Sequence, residues 1–299
     1  MKKYLKIGLI VCAFAQLGAC SMAQLTVRAS MPMIEGGVTA MNQQTDLGLA
    51  ASAIPANISL IEGMLINDPN NEELRLYAAQ AYYGYAFGFI EDGFIEDGLV
   101  NDGNPGRAAK LYEKCSRHAK HVLSAHGLTE KMLDGELEAL QKNVNKLDKD
   151  AVPTLFWTAS CWAKSIDLNR DKAINLAQLP KAVMLMQRVL ELDEHYYMSG
   201  PHIFFGVYYG SKSPMLGGNY KLSEQHFASA NEANQNKLLI VNLLQAQYLE
   251  RQRFNQQAFH DLLTRINQAS ETLYPEQALI NQISKYKASL LLNKEEQWF

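Results

Sequence analysis

Five carboxylates lie close together in one short stretch of the chain, which makes calcium binding the first chemistry to consider. They are Glu91, Asp92, Glu96, Asp97 and Asp102. Calcium-binding loops place such oxygens at fixed offsets around a glycine, and the D-x-[DN]-x-[DN]-G spacing of those loops is missing here. A solvated acidic loop or a docking patch is therefore favoured over a metal site.

A second candidate metal site is a pair of histidines, His118 and His121, three residues apart on a predicted helix. No third ligand follows at a spacing typical of zinc sites.

Catalytic motifs are also missing, since H-E-x-x-H, G-x-S-x-G and P-loop spacings do not occur. Ser284 and Lys287 match S-x-x-K by spacing, but they lie in an amphipathic helix without the partner motifs. We therefore expect a protein that is not an enzyme and has no metal or cofactor.

Cys20 is the residue with the clearest predicted chemistry. Three lysines precede an apolar run from Ile7 to Ala19, which is shorter than the ~20 residues that a helix needs to cross a bilayer. The run ends in L-G-A-C, which resembles a lipobox. The sequence predicts a signal peptide over 1–19, lipidation of Cys20 and a membrane anchor of acyl chains. The alternative is an ordinary secretory signal with an incidental cysteine.

The residue after Cys20 and the overall charge bear on location and partners. Ser21, rather than an aspartate, favours the outer membrane of a two-membrane cell, with the protein facing the periplasm. Loss of the signal peptide removes three lysines and changes the formal charge from −3 to −6, so nucleic acid is not an expected partner. Cys115 and Cys161 remain; a disulfide between them is possible in an oxidising compartment, but two buried free thiols are favoured.

Helical periodicity dominates the chain beyond residue 45. From Leu74, apolar residues recur at helical spacing as far as Phe89, and no strand-like alternation is apparent. Residues 20–45 are weakly patterned and are interpreted as a lipidated tether plus about one helical turn. The predicted helices span 46–67, 71–91, 105–126, 129–148, 153–167, 180–192, 200–210, 220–233, 236–251, 255–270 and 275–293.

Helix pairs recur along the predicted domain at residues 46–299. The segment F-G-V-Y-Y at Phe205–Tyr209 fits the first half of a tetratricopeptide repeat, in which a small residue allows a neighbouring helix to approach. The helix that contains Ala182 has small and apolar residues at the same spacing as the helix that contains Ser223, which lies 41 residues later in the sequence. We predict an all-α fold of TPR-like helical hairpin repeats stacked in a superhelix with one concave surface. A generic helical bundle is the alternative.

Four longer segments, taken in order, resemble the T component of tetratricopeptide-associated TRAP transporters, the TatT family. They are 78–92 (A-A-Q-A-Y-Y-G-Y-A-F-G-F-I-E-D), 107–112, the two-tryptophan segment 153–163, and 201–218 with P-H-I-F-F-G and S-P-M-L-G-G. The resemblance implies a periplasm-facing lipoprotein that docks the substrate-binding protein of a TRAP transporter. It further implies a homo-oligomeric ring, a trimer, whose apolar lumen takes a hydrophobic or amphipathic small molecule.

One departure from the family pattern is a tandem duplication. Gly88–Asp92 reads G-F-I-E-D, and Gly93–Asp97 repeats it. A five-residue period does not match the 3.6 residues of a helical turn, so both copies cannot present the same face. We expect the first copy to hold the family position and the second to lengthen the following loop. Glu91 and Asp92 of the first copy are the docking candidates.

Aromatic residues supply the candidate ligand site. Tyr85 and Phe87 cannot lie on the same side of a helix, since a step of two residues turns by about 200° around the helix axis. Part of the aromatic set should therefore face a groove rather than the core. Each ring taken singly could also be an ordinary core residue. The ligand candidates are Phe87, Phe89, Trp157, Trp162, His202 and Tyr208.

Two other functions are compatible with such a chain. A tetratricopeptide lipoprotein can act as a scaffold for envelope assembly by holding an extended peptide in a polar, open groove. A secreted hydrolase is a third class, for which the sequence offers no constellation of catalytic residues. An aromatic, enclosed concave face would distinguish the transport role from peptide binding.

Overall fold

The fold is all-α, as predicted. The structure, a computed structural model, describes residues 22–96, 99–170 and 173–299. Residues 22–29 are helical, and the helices that follow are α1 (Met31–Asn42), α2 (Leu47–Asn67), α3 (Glu72–Tyr85), α4 (Pro105–Ala125), α5 (Glu130–Asp134), α6 (Leu137–Val144), α7 (Val152–Asp167), α8 (Ala173–Leu176), α9 (Leu179–Leu192), α10 (Tyr196–Gly210), α11 (Tyr220–Ala233), α12 (Leu239–Leu244), α13 (Gln256–Gln268), α14 (Ala278–Leu292) and α15 (Glu295–Trp298).

Several helices begin where a short polar side chain caps them. The side chain of Asp46 accepts a hydrogen bond from the backbone N–H of Leu49, and that of Asn71 accepts one from Leu74. Asn104, Asn219 and Asn255 cap α4, α11 and α13 in the same way. These caps satisfy amide donors that the first helical turn leaves free, which explains why the breaks between helices fall close to the predicted boundaries.

The predicted tether is wrong in its secondary structure, because residues 22–42 are helical rather than a tether with one turn. Val27 and Met31 are buried against Ile61, Leu65 and Leu74. Arg28 reinforces this contact through an ion pair with Asp68, at 3.0 Å. The stabilising partners lie about forty residues away in sequence, so local patterning could not reveal them.

Three other elements differ from the prediction. The duplicated segment enters a short antiparallel hairpin, β1 (Gly93–Glu96) with β2 (Leu99–Asp102), where no strand was expected. The helix predicted over 129–148 divides into α5 and α6 at Gly135. The helix predicted over 200–210 is preceded by an unpredicted kink, in which Tyr197–Ser199 are three consecutive left-handed residues, and regular helical geometry follows from Gly200.

Neighbouring helices pack closely, with α3 on α4, α4 on α7, and α10 on α11. Gly206 permits the last of these contacts, since a Cβ atom there would meet the ring of Phe227 at 2.8 Å. This is the close approach for which the F-G-V-Y-Y segment was singled out. The stacking of these pairs as tetratricopeptide-like repeats stays a prediction.

A disulfide joins α4 to α7 inside the largest apolar cluster. Cys115 and Cys161 are fully buried and their Cα atoms are 5.7 Å apart, which is within the usual range for a disulfide. The sequence favoured two buried free thiols; the cysteines are buried as expected, but the contact of α4 with α7 brings them together as a disulfide.

Removal of this disulfide should destabilise the fold. Because the bond closes a loop of 46 residues, the chain-entropy relation gives a loss of about 4 kcal/mol in the free energy of unfolding for Cys115→Ala with Cys161→Ala. Urea denaturation followed by circular dichroism measures this loss. An unchanged midpoint, together with two free thiols by mass in the oxidised wild-type protein, would contradict the pairing.

Candidate ligand cavity

A cavity of about 1330 Å³ lies between the N-terminal helices and the rest of the domain. Residues 23–30 and α1 line one side. The other walls come from α2, α3, α7, α10, α12 and α14, and from the segments that follow α7 and α10. The cavity is larger than the roughly 300–1,000 Å³ of ordinary small-molecule pockets. Its lining is mostly apolar, so the chemistry it offers is the burial of a hydrophobic surface.

Helix α2 explains part of this lining. By length and composition it is the one helix in the described residues that is apolar enough to cross a membrane. Its buried face, with Ala50 and Ile58, packs within the domain, whereas Leu60 is 56% exposed and lines the cavity. A surface helix needs only one apolar stripe. α2 is apolar on a second side as well, because that side faces the cavity.

Two π-helical turns shape the cavity wall. One spans Ala86–Ile90 and the other Gln245–Glu250, and they contribute Phe87 and Tyr248 to the lining. Such turns add a residue to the helical ladder, and they occur often at functional sites. Phe87 also packs against both of the main apolar clusters. The π turn thus lets one ring contact the cores and the cavity at the same time.

A group of rings forms another part of the wall. The ring of Tyr197 lies 4.9 Å from that of Trp157 and 5.5 Å from that of Phe156. Gln80 donates a hydrogen bond to the Tyr197 hydroxyl at 2.9 Å. Burial raises the pKa of Tyr197 well above its ordinary value, so this hydroxyl stays protonated. The left-handed turn at Tyr197–Ser199 costs conformational energy, and it aims Tyr197 and Met198 into the cavity.

The structure brings three of the six predicted ligand residues to the cavity. Phe87, Trp157 and Tyr208 line it. Phe89 is 2% exposed and packs against the ring of Phe94 at 5.2 Å, inside the domain. Trp162 lies outside the lining, with its ring 4.1 Å from the Lys120 ammonium.

The sixth candidate, His202, is buried away from the cavity lining. Its Nδ1 is 2.9 Å from Nδ1 of His226, and its Nε2 is 3.1 Å from a carboxylate oxygen of Glu194. The His226 ring stacks on those of Phe205 and Tyr209. Burial, and then the neighbouring His202, lower the pKa of His226 to about 4. The pair is therefore a polar contact within the packing of α10 on α11.

Both docking candidates form ion pairs. Glu91 is 2.6 Å from Lys164 and accepts a hydrogen bond from the Tyr112 hydroxyl at 2.9 Å, with 11% of its side chain exposed. Asp92 contacts Lys287 and keeps 43% of its side chain exposed. Burial alone would raise the pKa of Asp92, but Lys287 lowers it below its usual value. Of the second copy, Phe94 is buried, and Asp97 lies outside the described residues, as does Cys20.

The histidine pair considered for a metal is engaged with other side chains. Nε2 of His118 lies 3.1 Å from Oε1 of Glu62, and Nδ1 of the same ring lies 3.5 Å from Nη1 of Arg75. Nε2 of His121 lies 3.2 Å from Oδ1 of Asn70. Within 22–96, 99–170 and 173–299, no cluster of three or more His, Cys, Asp or Glu side chains suits a metal ion.

Sequence reasoning missed several lining residues, and for different reasons. Phe156 adjoins Trp157 and could have been included with it. Tyr248 had no signal, because the π turn that turns it inward has no sequence signature of its own. Lys164 follows the two-tryptophan segment, and a lysine at the end of so apolar a helix was a signal that went unused. Lys164 lines the cavity.

The depressed pKa of His226 leads to a prediction about acid stability. An unfolded histidine titrates near 6.5 and the folded one at about 4. Between these pH values the unfolded chain binds a proton that the folded state does not, so the free energy of unfolding should fall as the pH drops. His226→Gln should reduce this fall, as measured by urea midpoints at pH 7 and pH 4.5.

His260→Gln is the matched control. His260 is exposed, and its hydrogen bond to Glu295 raises its pKa. Its protonation stabilises the fold as the pH drops, and the control should therefore lose more stability in acid than the wild type. Identical pH dependence in wild type and His226→Gln would contradict the assignment.

A relative in Treponema pallidum (strain Nichols), a curated protein described as an uncharacterized protein, is 22% identical over 191 residues. The match covers 62% of this chain and 59% of the relative, so the chain spans less than two thirds of that protein's length. The profile of the TAtT family, described as TRAP transporter T-component, matches residues 43–299. That match takes in every helix from α2 onward, and so nearly all of the cavity wall outside residues 23–42. The chain belongs to the TRAP transporter T-component family.

Proposed function

We propose that this T component is a lipoprotein accessory that binds a hydrophobic or amphipathic small molecule in the cavity and docks a substrate-binding protein. The apolar, aromatic lining of the cavity is the observation that carries the proposal. Apolar walls favour apolar ligands, and each CH₂ group that leaves water contributes about 0.8 kcal/mol. A volume of about 1330 Å³ accommodates a long chain or a fused ring system.

The ligand residues divide by their distance from the hollow. Phe87, Trp157 and Tyr208 contact the ligand directly, since they line the cavity. Phe89 and Trp162 support the wall from within the packing. His202 fixes α10, which carries Tyr208, through its contact with His226. A peptide-binding scaffold would instead need amide and basic side chains all along an open groove, whereas eight of the described lining residues carry such a side chain and most of the others are apolar.

The periplasmic location is supported by the disulfide, because such bonds persist in oxidising compartments. Acylation of Cys20 would anchor the chain two residues before the described helix at residues 22–29. That helix and α1 line the cavity. The anchor would therefore hold the cavity close to the membrane, favoured here to be the outer membrane.

Docking of the substrate-binding protein is assigned to the region of Glu91 and Asp92. Asp92 is the more exposed carboxylate, and it can reorient toward a partner while Lys287 keeps it ionised. Glu91 stays internal and holds the end of the first π turn in place. Docking would place the ligand sites of the two proteins next to each other, and the ligand would pass between them without covalent chemistry. A trimeric ring is the assembly that the family resemblance implies.

A side chain added at Gly84 tests ligand binding. Gly84 lies in α3 and lines the cavity, and a Cβ atom there meets no atom within 4 Å. Gly84→Leu should therefore occupy part of the hollow without a clash and raise the helix propensity of α3. We expect at least a tenfold weaker affinity for the neutral, apolar dye Nile red, measured by fluorescence titration.

Gly63→Leu provides the matched control. Gly63 is also within a helix, and a Cβ atom there meets no atom within 4 Å, but it does not line the cavity. This variant should bind the dye like the wild type. If neither wild type nor control takes up the dye, or if Gly84→Leu binds it equally well, the cavity is not the ligand site.

A further inference from the structure

The charged residues of the cavity wall are gathered at one end. Lys164 and Asp167 lie on the last turn of α7, Arg170 follows one turn later, and Lys212 follows α10. Among the described residues that line the cavity, these four carry all the formal charge. The remaining wall is apolar or neutral. The cavity is therefore itself amphipathic, with a long apolar part and one charged end.

These charges do not cancel. Asp167 contacts Arg170 and lies 3.9 Å from Lys164. The closest partner of Lys164 is Glu91, at 2.6 Å, behind the wall. The Lys212 ammonium lies 3.8 Å from the centre of the Tyr208 ring. Among the described residues at this end, three cations thus face two carboxylates, and one positive charge is in excess.

Lys212 carries that excess. Burial, and then the neighbouring Arg170, lower the pKa of Lys212. Both effects disfavour the charged ammonium, and a bound anion would stabilise it. A cation over an aromatic ring gains some attraction from the ring face, but the ring does not neutralise it. An anion between Lys212 and Arg170 would be stabilised by both.

Two tyrosines add hydrogen-bond donors near the same end. Tyr83 and Tyr248 line the cavity close to Lys164. Burial raises the pKa of Tyr83 to about 12. Lys164 alone would lower the pKa of Tyr248, but burial and the nearby carboxylates raise it to about 12. Both hydroxyls are therefore protonated at neutral pH, and each can donate to an oxygen atom.

We propose that Lys212 and Arg170 form a head-group subsite, and that the ligand of this cavity is an amphiphile with an anionic carboxylate or phosphate head. The inference rests on the proposed function and adds to it the charge of the ligand and its direction in the cavity. Arg170 offers paired N–H donors to the oxygens, and Lys212 offers a point charge. The tail extends from there along Trp157 and Phe87.

The test compares ligands that share one alkyl chain. Dodecanoate, dodecyl phosphate, dodecanol and dodecyltrimethylammonium are titrated below their micellar concentrations at pH 8, and the complexes are counted by native mass spectrometry. We expect one or both anions to bind at least tenfold more tightly than dodecanol, and the cation to bind least. The two anions distinguish a carboxylate ligand from a phosphate ligand.

Lys212→Gln should lower the ratio of anion to dodecanol affinity at least fivefold, and Lys212→Glu should reverse the preference between dodecanoate and dodecyltrimethylammonium. Lys120→Gln is the control, because Lys120 also lies over a ring, 4.1 Å from Trp162, outside the cavity. Equal affinity for anions and dodecanol would overturn the head-group subsite and leave the proposed function intact. Failure of all four ligands to bind would overturn both.

Discussion

The buried contact between Glu91 and Lys164 holds together the elements on which the cavity depends. Glu91 ends the first π turn, Lys164 lies on α7, and Tyr112 on α4 donates to the same carboxylate. Burial alone would lower the pKa of Lys164, but Glu91 and its other neighbours raise it well above the usual value. Each charge is tolerable only because the other is present, since an unpaired ion in such surroundings would cost several kcal/mol. The pair therefore fixes the junction of three helices and sets the position of Phe87.

The hollow itself is a consequence of apolar surface that the fold does not bury. Ordinary domains close their apolar faces on one another, but here α1 and α2 leave theirs toward a space of about 1330 Å³. Gly84 lines this space, and a Cβ atom there would meet no atom within 4 Å. Apolar surface that the fold leaves unburied can contribute its burial energy to a ligand. The same arrangement makes the protein less stable when empty than a filled core would be.

Sequence patterns predicted the fold better than they predicted the site. Helical periodicity and the breakers between helices were enough for most of the helices, because both are local properties. The ligand residues were harder to predict, because their identity depends on which side of each helix packs against a neighbouring helix and which side faces the cavity. Phe87 and Phe89 illustrate the limit: they are two residues apart, one lines the cavity and the other packs against Phe94. The helix at residues 22–42 and the inward turn of Tyr248 depend on distant contacts and on a π turn, neither of which has a local signature.

The tandem duplication is accommodated because the chain leaves the helix between the two copies. Five extra residues inside a helix would rotate everything after them by about 140° and would separate Glu91 from Lys164. Instead Gly93 adopts a φ of +83°, and the chain turns into the hairpin. The backbone N–H of Asn104 then donates to the carbonyl of Ile90 at 2.9 Å, so the chain returns at Asn104 to the end of the π turn. α4 therefore begins beside the end of the π turn, and Glu91 and Asp92 of the first copy keep their ion pairs with Lys164 and Lys287.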